Sequence, residues 1–131
     1  MADLLECLIQ LKALELSINR LERFVGAAPA AARANVDAVL DRLLDAEDAY
    51  ARALSGLHPT RRAGAPATRL GQFAAARRAA LDLLQRYSAE ELGRAVDWPG
   101  RPGTSAADLV AIMLAHDTER IGDIQRLLRG A

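Results

Sequence analysis

Leu4, Leu11, Ile18 and Val25 recur every seven residues, and Cys7, Leu14 and Leu21 interleave with them. Apolar residues at two positions of a seven-residue period form one continuous stripe on a helix, and a nearly parallel neighbouring helix is what covers such a stripe. This segment is therefore committed to a helical bundle. Its opposite side carries a second apolar ridge of Leu5, Ile9, Ala13 and Leu16. A helix that is apolar on two sides needs two partners. One face is expected in the core and the other in a homodimer interface, with a loop or the long connection further along the chain as the alternative cover.

The stretch GAAPA at 26–30 interrupts the pattern, and a second helix is expected from about Ala32 to Leu57 on Val36, Val39, Leu40, Leu43, Tyr50, Leu54 and Leu57. HPTRRAGAPAT then reads as an exposed connection. A third helix is expected over about Arg69 to Tyr87, through Leu70, Phe73, Ala76, Ala80, Leu83 and Leu84. Ser88 and Glu91 have the spacing of a capping box, and DWPGRPG is kept non-helical by its Pro and Gly residues. Ser105, with Asp108 three residues on, caps a last long helix that runs to about Arg129. No strand pattern intervenes. Four amphipathic helices in 131 residues predict one domain, an all-α antiparallel four-helix bundle with a long connection between helices 2 and 3.

Charge and cysteine content narrow the function classes. The 17 basic and 17 acidic residues cancel, so no global field favours nucleic acid or an anionic membrane. Cys7 is the only cysteine, which excludes an internal disulfide and a multi-cysteine zinc site. Neither a leader pattern nor an apolar run of membrane-spanning length is present, and a cytoplasmic protein is expected.

Several polar residues fall on apolar faces. On a wheel of about 100° per residue centred on Met113, Arg120 lies at about −20°, Asp117 at about 40° and His116 at about −60°, inside or at the edge of the apolar stripe. With Leu43 as origin, Glu47 lies at about 40° on the second helix. Buried charges must meet partners. The expected pairing is Glu47 with Arg120, which would hold the Glu47 carboxyl below its ordinary range, while Asp117 orients His116 or accepts from a neighbouring arginine. Cys7 is expected to be a small buried hydrophobe, Trp98 a plug at one end of the bundle, and His58 a solvated cation after the second helix. Arg61, Arg62, Arg69, Arg77 and Arg78 read as solvated surface, with an anion or phosphate site as the alternative, and they lack the interleaved aromatics of a single-strand binder.

The segment RLLDAEDAY, the Trp-Pro-Gly loop and SAADLVAIMLAHDTERIGDIQRLL together resemble the DinB-like superfamily. The resemblance covers nearly the whole chain. It implies a bundle in which one histidine of helix 2 and two histidines four residues apart in the last helix hold a divalent metal, and it brings in metal-dependent transferases that use low-molecular-weight thiols. Those three positions fall here on Arg42, His116 and Arg120. Arginine stays protonated and has no lone pair for a metal, so His116 alone could ligate. No cofactor is therefore expected, and a zinc, nickel or manganese site would have to be rebuilt from Glu47, His116 and Asp117. The leading expectation is a bundle without the metal, in which Arg42, Glu47, His116, Asp117 and Arg120 form a structural network or a pocket for a small anion. A thiol transferase with a rebuilt site and a homodimeric interaction module are the alternatives.

Overall fold

The computed structural model describes residues 4–54, 57 and 68–130. Four long helices build it: α1 (Leu4–Gly26), α2 (Arg33–Ala53), α3 (Arg69–Gln85) and α5 (Ala106–Gly130), with the short α4 (Ala89–Leu92) and a single 3₁₀ turn (Ala30–Ala32) between them. Among the described residues no strand forms, and the one β feature is an isolated bridge between Ala95 and Ser105. Among the described residues, no helix is long and apolar enough to cross a membrane.

The ends of the helices follow local chemistry. Ser88 and Glu91 close a reciprocal capping box at α4, where the Ser88 hydroxyl accepts from the Glu91 N–H and the Glu91 carboxylate accepts from the Ser88 N–H. Ser105 and Asp108 repeat the arrangement at α5. The backbone hydrogen bonds lower the pKa of both carboxyls, Glu91 and Asp108. Thr68 caps α3 by accepting from the Gly71 N–H. Between α4 and α5 the chain doubles back through Gly100 and Gly103, whose positive φ angles of 79° and 83° a side chain would strain.

Helix α2 is shorter than its apolar pattern predicts. It ends at Ala53, and Leu54 adopts an extended backbone conformation while its side chain stays buried. Leu57 still packs on the core without being helical. The pattern reported burial correctly and helicity incorrectly, because an extended residue can bury a side chain as well as a helical one.

The core consists of two apolar clusters stacked along the bundle. One joins Cys7, Leu11 and Leu14 of α1 with Tyr50 of α2, Leu81 and Leu84 of α3, and Leu109 and Met113 of α5. The other joins Ile18 and Leu21 with Leu40 and Leu43, Phe73 and Ala74, and Ile121 and Ile124. The N-terminal half of α1 thus lies at the same level as the C-terminal halves of α2 and α3 and the N-terminal half of α5. The directions are up, down, down, up, which makes α2 and α3 parallel. Helix α1 packs on α5 and α3, and α2 packs on α3 and α5, so α3 and α5 face each other diagonally across the core. The expected connection between α2 and α3, with His58, Arg61 and Arg62, falls outside the described residues.

Cys7 is buried and free, as its place on the seam predicts. Leu4 departs from the same seam: it is exposed, one turn beyond the level where α5 covers α1. Trp98 stacks on the buried Tyr50 with ring centroids 5.6 Å apart and plugs the end of the first cluster.

Candidate functional site

The two apolar clusters are separated by a polar layer to which each long helix contributes one buried residue. Ser17 lies between Leu14 and Ile18, Glu47 between Leu44 and Tyr50, Arg77 between Ala74 and Ala80, and Asp117 between Met113 and Ile121. Ser17 satisfies itself by donating to the Ala13 carbonyl. The other three form a buried ion triad.

Arg77 is the centre of it and is fully buried, at 0% exposure. Its NH1 donates to Asp117 Oδ2 at 2.5 Å and its NH2 to Asp117 Oδ1 at 2.8 Å, a two-pronged pair across the bundle diagonal. The same NH2 donates to Glu47 Oε1 at 2.6 Å. The guanidinium carbon lies 4.8 Å from the centroid of the Phe73 ring, one turn earlier on α3, and Nε has no hydrogen-bond partner among the described residues. The long, planar arginine is suited to this place because it can reach from α3 across the core and still present two parallel N–H groups to one carboxylate.

The triad overturns two expectations. Glu47 does not pair with Arg120, and Arg77 is not on the surface. The Arg120 guanidinium instead lies against carboxylates of its own helix, with NH2 donating to Glu119 at 2.5 Å and Nε 3.1 Å from Asp123. The Nε contact is close enough for an ion pair but is misaligned for a hydrogen bond. Arg120 sits near the centre of the α5 stripe by angle, yet its long side chain carries the charge outward along the helix. Asp117 accepts from an arginine, as one of the two expectations for it held, and that arginine is Arg77.

Electrostatics follow from one cation divided between two carboxylates. Burial pushes the Glu47 carboxyl above its ordinary range; Arg77 opposes this, and the charges of Asp117 and Asp48 reinforce it. The expected depression of the Glu47 pKa is thereby reversed. Burial also works against the Arg77 charge, but Glu47 and Asp117 outweigh it and raise its pKa. Burial raises the Tyr50 phenol, with Glu47 and Asp117 adding to the effect.

The three positions implied by the metal-binding resemblance lie beside this layer, not in it. Arg42 is exposed on α2 and joins none of the triad's ion pairs. His116 is half-buried, its Nδ1 is buried without a hydrogen-bond partner among the described residues, and its pKa is lowered by burial and by the nearby Arg120 charge. Among the described residues no group of three His, Cys, Asp or Glu side chains is arranged to hold a metal ion. Two of the three positions carry guanidinium groups, and the nearby Glu47 and Asp117 carboxylates are bonded to Arg77. Arginine offers no lone pair, so of these three positions only His116 could ligate a divalent metal.

The sequence model of the DinB superfamily matches residues 22–124. The chain belongs to the DinB superfamily. That match spans the end of α1, all of α2 to α4 and most of α5, including every residue of the triad. No curated protein and no solved structure matches the chain.

Among the described residues, the five exposed large hydrophobics all lie on α1: Leu4, Leu5, Leu8, Ile9 and Leu16. Leu5 and Ile9 are each 62% exposed and Leu16 48%. Ala13, between them, is half-buried. On a wheel with Leu5 as origin, Ile9 and Leu16 lie at about 40° and about 20°, opposite Cys7 and Leu14 at about 200° and about 180°. The ridge faces directly away from the chain's own core.

Proposed function

We propose that this DinB-superfamily bundle works without the three-ligand metal centre and acts as a self-associating interaction module. In this reading the polar layer is structural and the α1 ridge is the working surface. The observation that carries it is the exposed apolar ridge of Leu5, Ile9 and Leu16 on the side of α1 opposite its buried seam. The triad supports it from the other side, since Arg77 and Arg120 are already paired with carboxylates of the protein.

A second copy of the chain is the occupant that fits the ridge. An antiparallel α1 pair about a two-fold axis between Lys12 and Ala13 sets Ile9 against Leu16 twice, and the half-buried Ala13 lets the helices approach. The ridge is apolar toward its N-terminal end and basic toward its C-terminal end, where Arg20 and Arg23 continue the stripe. Glu6 flanks the apolar end on the side of Arg20, so antiparallel pairing brings opposite charges together at both ends.

Light scattering on the purified chain tests this, with Ile9→Glu as the control. A dimer that becomes a monomer on substitution is the expected result, and a wild-type monomer at tens of micromolar overturns the reading. Metal analysis of protein purified without added metal tests the other half: zinc, nickel or manganese at one equivalent would restore the thiol-transferase reading, with His116 as its retained ligand.

A further inference from the structure

The polar layer has a charge imbalance at the most enclosed level of the bundle. Two carboxylates face one guanidinium, and Glu47, Arg77 and Asp117 are all 3% exposed or less. With both carboxyls ionised the layer holds a net charge of −1, sealed above and below by apolar clusters. An uncompensated buried charge is strongly disfavoured, and a carboxyl relieves it by keeping its proton.

Among the described residues, the groups around Glu47 leave no second cation for it. On α3 it faces Arg77, and on α5 it faces Asp117; the 3₁₀ turn Ala30–Ala32 brings no titratable group. On its own helix, Asp48 and Tyr50 are the charged or titratable neighbours. His116 and Arg120 on α5 belong to the outer side, where Arg120 is engaged by Glu119 and Asp123. The geometry also distinguishes the two carboxyls. Asp117 receives both prongs of the guanidinium, whereas Glu47 receives one bond from an N–H group shared with Asp117. Glu47 is therefore the carboxyl that the guanidinium holds less firmly, and the one that can go without its charge.

We propose that Glu47 is a proton-linked latch of the bundle: folding places a protonated Glu47 carboxyl on Arg77 at the junction of α2, α3 and α5, and deprotonation loosens that junction. The raised pKa produced by burial agrees with this assignment. For the sign, a carboxyl whose pKa is higher folded than unfolded gives stability that is complete below the unfolded value and is lost as the pH rises through the folded value. One linked proton changes the folded-to-unfolded ratio by at most about tenfold per pH unit between those two values.

The experiment is a carbon-13 NMR titration of the Glu47 side-chain carboxyl in the wild-type chain, assigned by its absence in Glu47→Gln, alongside urea unfolding of both chains across the same pH series. The expected result is a Glu47 midpoint above the ordinary glutamate range, with wild-type stability declining through that midpoint relative to Glu47→Gln. A midpoint within or below the ordinary range overturns the proposal, as does a wild-type chain that gains stability relative to Glu47→Gln as the pH rises. If Glu47→Gln does not fold, Glu47→Asp supplies the assignment and the wild-type midpoint decides alone. The outcome is independent of self-association, since the same titration reads the latch in monomer or dimer.

Discussion

Two regions of this bundle invert the usual distribution of side chains, in opposite directions. At the waist three charged groups are buried, and on α1 five large hydrophobics are exposed. The waist is complete within one chain: each of its charges finds an opposite charge at 2.5 to 2.8 Å, and the imbalance that remains can be removed by one proton. The ridge has no such closure among the described helices, because Ile9 and Leu16 are exposed on the side of α1 opposite Cys7 and Leu14. Buried polar groups can be satisfied by the fold that buries them, whereas exposed apolar surface can be satisfied only by something outside it.

Removing the cation breaks this comparison most severely. Arg77→Met leaves Glu47 and Asp117 buried without a counter-charge and should destabilise the chain by about 3–5 kcal/mol in urea unfolding at neutral pH. Replacing the triad together, as Arg77→Met with Glu47→Leu and Asp117→Leu, should recover most of that loss, because no buried charge then remains. Equal damage from the single and triple variants would show that the triad is held by more than its own pairing.

The ridge responds differently. Leu16→Glu should weaken the proposed dimer by about 100-fold, since each of the two copies loses roughly 1.5 kcal/mol of apolar burial. Monomer stability should change by less than about 0.5 kcal/mol. Sedimentation equilibrium and urea unfolding separate the two effects, and a loss of monomer stability without a loss of association would place the ridge inside the fold.

A smaller effect lies at the edge of the waist. The His116 pKa is lowered by burial and by Arg120, so the folded state favours the neutral imidazole. A group of this sign gives stability that is present above the unfolded pKa, about 6.5, and is lost as the pH falls from there through the lower folded value. His116→Gln should remove that part of the acid limb, which acts in the opposite direction to Glu47. The difference in unfolding midpoint between pH 8 and pH 5 measures it; an identical difference in the two chains would place His116 in bulk solvent. The smallest expected change is at a cap far from both regions, where Ser88→Ala should cost about 1 kcal/mol in urea unfolding.

The expected fold and the structure agree because both follow from local periodicity. The α1 seam and the Ser88 and Ser105 caps depend on residues within one or two turns of each other, and a sequence displays such relations directly. The inward placement of Glu47 and Asp117 was legible for the same reason. Arg77 was also within reach of a wheel: with Phe73 as origin it falls at about 40°, in the stripe shared by Ala80 and Leu84. Its position beside Arg78, in a segment with several other arginines, made it resemble solvated surface. The Glu47–Arg120 pairing failed for a different reason. A wheel gives the direction of a Cβ atom and not the end of a long side chain, and the Arg120 guanidinium lies several bonds away from the core its backbone faces.

By itself the sequence determined that the chain is a four-helix bundle of the DinB superfamily, that α1 is apolar on two sides, and that arginines stand at two of the three positions where the resemblance places metal ligands. Which arginine meets which carboxylate was decided by the tertiary structure alone. Pairing across helices depends on their axial offset and on which helices are diagonal neighbours, and here α3 and α5 face each other so that Arg77 spans the core to Asp117 and takes in Glu47. No spacing within a single helix encodes that distance.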